Sequence, residues 1–380
     1  MSSSVQPLTS IEICAGAGGQ AVGLHNAGFR HLALVEIDVH AAATLELNVV
    51  QRELWGEDEA KECQILAMDV KKFNPPKTGD LALLAGGVPC PPFSVAGRQL
   101  GQDDERDLFP EVVRLVKRLK PRAVMIENVA GLVKPFDKFF VYREQIKDQI
   151  RSEGYVICGW RLLEAADFGV PQLRPRAILV AIREDCYRGF KWPEPSGEVV
   201  TVAEALKATM ERRFDRVGRR DGYEKWLKKA TEAGTVAPTL VGGSKKHGGA
   251  DLGPTRAKKA WSMLGVNGMG VANDEKDVNI ARDLGNLDLN IEDPEVQRLG
   301  PMLTVEQAAI IQGFPQNWQF SGRKTAQYRQ VGNAFPPPVA EAVGRAIKEA
   351  LERTGKILDP PKGDLELDGT ICASQRDTLI

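Results

Sequence analysis

Cys90 stands in "LLAGGVPCPPFSVAGRQ" (83–99), after an apolar run and two glycines and between two prolines. Pro89 has a fixed φ, and Pro91 pushes Cys90 toward extended backbone, so the thiol is carried on a stiff segment. The run Asp80 to Leu84 reads as a short buried strand that Gly86 and Gly87 end, which aims the side chain from a strand exit. A free cysteine otherwise behaves as a small hydrophobe, so the surroundings must decide whether this one is a nucleophile. A second constellation, "CAGAGGQA" (14–21), follows a strand and opens a helix, with Glu36 twenty residues after Gly16. That spacing satisfies the permissive dinucleotide fingerprint, in which glycines let backbone approach the ligand and a carboxylate accepts ribose hydroxyls. Alone it does not separate NAD from other adenosine cofactors, and a purely structural tight turn meets it too. Arg174 and Arg176, two residues apart, point to one face if they lie on a strand.

These residues need a scaffold, and the first half of the chain supplies alternating signals for one. Apolar runs at Ile11–Cys14, His31–Glu36, Leu81–Leu84 and Ala123–Glu127 alternate with helical stretches at Ala21–Ala27, Ala41–Asn48, Glu111–Lys120 and Glu144–Ser152. Such alternation predicts a parallel, doubly wound α/β sheet, extended by strands near Tyr155–Leu163 and Ile178–Ile182. After Arg183 the texture becomes charged and Gly-rich with weak periodicity, which predicts a second, smaller domain over 194–300. Segment 301–327 reads as a hinge, and helix signals at Thr304–Gln312 and Val339–Leu351 follow it or lie within it. The expected division is 1–193 completed by 328–355, then 194–300, with a loose tail over 356–380.

The length of 380 residues and 43% apolar content suit about two buried cores in water. Apolar stretches are broken well short of a membrane span, and the start, MSSSVQPLTS, lacks a leader pattern, so the expected location is the cytoplasm. Six cysteines with no CxxC and only four histidines argue against a disulfide framework and a zinc site. Net charge is −1, yet 212–259 holds thirteen Lys/Arg against five Asp/Glu. That surplus is either a solvated face or a phosphate-contacting surface.

Five stretches taken together resemble the signature blocks of the DNA (cytosine-5)-methyltransferases: "GGVPCPPFS" (86–94), "MIENVAGL" (125–132), "DFGVPQLRPRAILV" (167–180), "MLTVEQAAIIQGFP" (302–315) and "YRQVGNAFPPPVAEAVG" (328–344). The glycine loop and "VEID" (35–38) fit as that family's first two blocks. The resemblance covers the chain apart from its first few residues, 195–300 and the tail. It implies an α/β, Rossmann-like S-adenosylmethionine-dependent methyltransferase sheet with a second, smaller target-recognition domain. It implies an enzyme of the bacterial restriction-modification type that methylates C5 of a flipped-out cytosine in a specific double-stranded DNA sequence.

Carried over by position, Cys90 attacks C6 of the base, because C5 is a poor nucleophile until a thiolate has added. Glu127 relieves the resulting charge at N3, which needs a carboxylate kept protonated by burial, and Arg174 with Arg176 holds the base O2 and nearby phosphate. The cofactor residues implied are Ala15, Gly16, Ala17, Gly18, Gly19, Glu36, Ile37, Asp69, Val70, Pro89, Asn333 and Ala334. The DNA contacts implied are Ser94, Arg98, Thr239, Leu240, Gly242, Gly243, Lys245 and Lys246, with no metal. Pro91 stands where the family commonly has Gln, and Ile37 where an aromatic ring often stacks on adenine. A cognate restriction endonuclease is a possible partner, and the expected state is a monomer off the membrane. The rival readings are a tRNA-directed enzyme of the same chemistry, an NAD-dependent oxidoreductase and a catalytically silent DNA-binding relative; the second leaves Cys90, Glu127 and the arginines unexplained.

Overall fold

The computed structural model describes residues 7–76, 80–89, 107–242, 250–273 and 300–358. Cys90, Ser94, Arg98, Gly243, Lys245 and Lys246, the expected closing loop from Ser94 and the tail beyond 358 lie outside the described residues. The chain divides into two units: Met1–Leu163, Pro175–Glu194 and Val339–Ser374 in the first, Glu164–Arg174, Pro195–Pro338 and Gln375–Ile380 in the second.

The first unit is built on strands β1 (Leu8–Ile13), β2 (Phe29–Glu36), β3 (Gln64–Ala67), β4 (Leu83–Gly87), β5 (Ala123–Val129), β6 (Tyr155–Glu164) and β7 (Pro175–Arg183). Their order is β3-β2-β1-β4-β5-β7-β6. Helices α1 (Gly19–Asn26), α2 (Val39–Leu45), α3 (Glu57–Glu62), α4 (Phe109–Leu119) and α5 (Phe140–Ser152) run between the strands. The expected parallel pairing holds from β3 through β5. At β7 it must be corrected, because β7 pairs with β5 antiparallel. A parallel neighbour needs a long crossover, whereas only a 3-10 turn (Ala165–Phe168) and a short link lead from β6 into β7.

One face of the sheet carries Ile11, Ile13, Val124 and Ile126 against Val112, Leu115 and Val116 of α4 and Ile146 and Ile150 of α5. Apolar side chains at three- and four-residue spacing make α4 present such a stripe, and Pro110 in its first turn costs no hydrogen bond. Because β1 is flanked by β2 and β4, chain order reverses there, and the carboxyl ends of β1 and β4 open side by side at the switch point of the sheet.

The second unit is helical. Its helices are α6 (Val202–Arg216), α7 (Arg220–Ala233), α8 (Thr255–Met263), α9 (Val305–Ile311) and α10 (Lys324–Asn333), and α11 (Pro337–Glu352) leads back into the first unit, where Gly344 closely meets Leu24 and Ala27 of α1. The weak periodicity expected after Arg183 is therefore corrected over 202–233. The local signal was a capping box, Thr201 with Glu204, ahead of the buried Val202, Leu206 and Met210. Many basic residues of this region are committed within the fold: Arg213 is buried and donates to Gln307 at 2.5 Å and Met302 O at 3.0 Å. Arg212 pairs with Glu306, Arg220 with Glu211 and Lys258 with Asp251.

Candidate active site

The glycine loop begins where Cys14 leaves β1 with φ 51°, and Gly16 (54°) and Gly18 (92°) continue in the left-handed region. Two glycines make this turn affordable, since a side chain at those angles is strained. Ala15 donates to Val35 O at 3.1 Å, which ties the loop to the end of β2. Glu36, 8% exposed, accepts from the Gly16 amide at 2.8 Å and from the Asp38 amide at 2.7 Å. Burial pushes its pKa up while those amides pull it down. Two amides leave further lone pairs of the carboxylate for a ligand. A side chain at Gly16 would meet nothing within 4 Å, so the backbone lies bare beside Glu36.

Ala15, Ala17 and Gly19 are buried in the turn into α1, and Ile37 is 66% exposed just past β2. Asp69 follows β3 and accepts from the Lys71 amide at 2.9 Å, with Val70 buried next to it. Apart from Pro89, which follows β4, the cofactor residues expected in the first half of the chain are placed at the carboxyl ends of β1, β2 and β3.

Beside them, β4 ends at Gly87 and is followed by Val88 and Pro89. The strand does end at the glycines, Gly87 being its last residue, and both are paired with β5, opposite Ile126 and Glu127. A Cβ at Gly86 would sit 2.7 Å from Ile13 O, and one at Gly87 would sit 3.1 Å from Glu127 Oε2. These glycines admit neighbours. Asn128, which sequence reasoning passed over within "ENV", donates to Val88 O at 3.0 Å and fixes the root of the segment that carries Cys90. At the far side of that segment Asp107 accepts from the Phe109 amide at 3.0 Å and from Tyr142 OH at 2.8 Å.

Glu127 Oε1 lies 2.9 Å from Arg176 Nε, each side chain only 13% exposed. Antiparallel pairing of β5 with β7 makes this contact, with Val129 opposite Arg176. Arg174 does something else, which corrects the expectation of an arginine pair on one face. It precedes β7, is 1% exposed, and donates to Leu240 O at 2.6 Å, Gly332 O at 2.7 Å and Ala334 O at 3.0 Å. It is a strut within the second unit, because a planar fork can hold several carbonyls at once.

The neighbouring expectations change with it. Leu240 is fully buried, its amide donating to Gln172 Oε1 at 2.7 Å, and Thr239 donates to Leu173 O at 2.5 Å. Those two side chains are turned into their own unit rather than displayed for a groove. Gly242 packs on Gly332 and Asn333 so closely that a side chain at either glycine would collide. Asn333 is exposed, and the Ala334 carbonyl is held by Arg174 and Gln312.

Burial, with neighbouring carboxylates, pushes the half-buried Cys14 thiol up to about 12, and the buried Cys63 and Cys158, also pushed up to about 12, fit the role of small hydrophobes. Among the described residues no cluster of His, Cys, Asp and Glu could hold a metal, and no helix is long and apolar enough to cross a membrane.

A model of the C-5 cytosine-specific DNA methylases matches residues 8–349. The chain belongs to that family. As a DNA (cytosine-5)-methyltransferase it is 50% identical to a type II methyltransferase, M.NaeI, of Lentzea aerocolonigenes, over 93% of this chain and 78% of the relative. It is 46% identical to M.NgoMIV of Neisseria gonorrhoeae, over 91% of this chain and 98% of the relative. Solved structures share the Rossmann-like fold: the Dnmt2 methyltransferase of S. pombe superposes with a TM-score of 0.58 at 18% identity, covering 91% of this chain and all of that one. An Escherichia coli prophage structure, titled a putative DNA modification methyltransferase, gives 0.57 at 21% over 91% of this chain and all of that one. The methyltransferase uses an α/β sheet with β7 reversed, and the reversal is what brings Arg176 to Glu127.

Proposed function

We propose that this methyltransferase modifies C5 of a cytosine flipped out of double-stranded DNA, with S-adenosylmethionine as methyl donor and Cys90 as a transient covalent partner of C6. The observation that carries the reading is the Glu127–Arg176 contact of 2.9 Å at the carboxyl end of β5, next to the strand that leads into Cys90. N3 and O2 are adjacent atoms on the edge of cytosine, and a carboxyl group touching a guanidinium matches them side by side.

The residues at the glycine loop fit the cofactor. Glu36 keeps acceptor capacity for ribose hydroxyls, Gly16 leaves space, and Ile37 and Asp69 offer an apolar surface and an acceptor to adenine. Glu12 and Gln20, on either side of the loop in sequence, are buried with no hydrogen-bond partner among the described residues. Buried polar atoms of this kind ask for a polar guest or water. When bound, the cofactor supplies an electrophilic methyl group.

The chain's own residues then do the rest. Cys90, as a thiolate, forms an Sγ–C6 bond, and Arg176 holds O2. Glu127, which its contact with Arg176 holds as a carboxylate until it takes up a proton from water, passes that proton to N3 as electron density enters the ring. After C5 has taken the methyl group, its proton passes to water, the electron pair re-forms the C5–C6 double bond as the Sγ–C6 bond breaks and returns the thiolate, and N3 gives its proton back to Glu127. Flipping is needed because C6 is inaccessible in the stack. Target choice is assigned to 195–300, and Lys245 and Lys246 are assigned to phosphates. Asn333 and Ala334 are assigned to the cofactor, and the enzyme is assigned to the cytoplasm as a monomer. The names of the type II relatives support a cognate restriction endonuclease.

Duplex DNA carrying 5-fluorocytosine at the target, mapped first by bisulfite sequencing, tests the chemistry. Wild type with S-adenosylmethionine should give a denaturant-resistant complex and Cys90→Ala none. Methylation by Cys90→Ala at the wild-type rate would overturn the assignment.

A further inference from the structure

We infer that the exposed apolar and basic surface just beyond the catalytic strand, formed by Val129, Lys134, Phe136, Lys138, Phe140 and Val141, seats the DNA strand that flanks the flipped cytosine. The inference rests on the cytosine-flipping reading above and adds a binding surface to it. Val129, Phe136, Phe140 and Val141 are 50%, 49%, 42% and 68% exposed, a concentration of apolar side chains that a solvated turn does not need. The two phenylalanine rings meet at 5.5 Å with their planes 49° apart.

The surface is held in shape from beneath. Arg143 is fully buried and donates to Leu132 O at 2.8 Å and Phe136 O at 2.5 Å, and its guanidinium lies 4.8 Å from the Phe136 ring centroid. Exposure of the rings therefore comes from a braced turn.

Two features favour a nucleic acid as the occupant. Lys134 and Lys138 are exposed and form no ion pair among the described residues, which leaves their charges for phosphates; Lys138 also lies 5.2 Å from the Phe139 ring centroid. Position is the second. Val129 is two residues beyond Glu127 and on the same side of β5, about 6.6 to 6.8 Å away, so the surface begins beside the group assigned to the base. A base held at Glu127 thus brings its neighbouring nucleotides over the patch, where rings can cover sugar and base faces while ammonium groups meet the backbone.

The test measures duplex binding by fluorescence anisotropy against salt, using the sequence mapped by bisulfite sequencing, for wild type, Lys134→Gln/Lys138→Gln and Phe136→Ala/Phe140→Ala. The lysine variant should lower the slope of log K against log salt by about 1.8, since each phosphate contact contributes roughly 0.9. The phenylalanine variant should weaken binding on the order of tenfold. Both should bind S-adenosylmethionine with wild-type affinity by calorimetry, which also checks that Phe136→Ala has folded; the lysine variant stands on its own if it has not. If wild type traps 5-fluorocytosine DNA but the lysine variant keeps the wild-type slope and affinity, the DNA surface is refuted. A shift of the variants' sedimentation coefficient without loss of DNA affinity would refute it in favour of contact between copies. Failure of wild type to trap would instead strike the cytosine chemistry.

Discussion

Adding one methyl group at Gly87 should slow methyl transfer without unfolding the enzyme. A Cβ there falls 3.1 Å from Glu127 Oε2 and 3.8 Å from Cys14 O, so the carboxylate must retreat by a few tenths of an ångström. Glu127 is held on its other oxygen by Arg176 at 2.9 Å, so its retreat disturbs both groups that face the base. A misplacement of about 1 Å costs on the order of a hundredfold in rate, so a few tenths should cost about fivefold to tenfold. Loss of glycine's freedom in the unfolded chain returns about 0.4–1 kcal/mol, which leaves the melting temperature of Gly87→Ala near wild type. Gly86→Ala is the control, because its Cβ would strike Ile13 O at 2.7 Å in a strand that cannot step aside. It should lose about 1–3 kcal/mol of stability. Single-turnover transfer of a labelled methyl group and thermal melts read the two effects separately. Wild-type transfer by Gly87→Ala, or an unchanged melt for Gly86→Ala, would refute the packing argument.

The two arginines should separate by assay: Arg174→Lys, which gives up a fork over three buried carbonyls, should lower the melting temperature, whereas Arg176→Lys should melt like wild type and transfer methyl groups slowly. Glu36→Ala should weaken S-adenosylmethionine binding by about 1.5–3 kcal/mol in titration calorimetry, and Glu127→Gln should leave that affinity unchanged. Burial without a partner raises the Glu12 pKa well above the ordinary carboxylate range. The folded state therefore holds a proton that the unfolded state releases near about 4.3, and this contribution is lost as pH rises through the folded value. Glu12→Gln should gain on wild type in thermal melts as pH goes from about 5 to about 8. His31 works in the opposite sense: burial lowers it to about 4, so its contribution is lost as pH falls from about 6.5 toward about 4, and its ring should show no NMR titration above about 5.

Much of this methyltransferase is determined locally, and that part is legible in its sequence. Alternating apolar runs and helical stretches mark β1, β2, β4 and β5 with their helices, because side-chain periodicity follows directly from backbone repeat. The glycine loop declares itself since only glycine takes Gly16 and Gly18 through the left-handed region without strain, and the flanking prolines single out Cys90 in the sequence. The family blocks add the chemistry that these residue types serve. Partners far away in the chain decided the rest. Arg174 and Arg176 look equivalent two residues apart, yet the first is a strut because carbonyls 66, 158 and 160 residues distant converge on it. The second meets Glu127 because β7 runs antiparallel to β5. Gly86 and Gly87 look like a strand terminator, and only the approach of Ile13 and Glu127 shows why they carry no side chain. A hydrogen bond or a close approach depends on three-dimensional distance, which sequence order does not contain until the sheet has assembled.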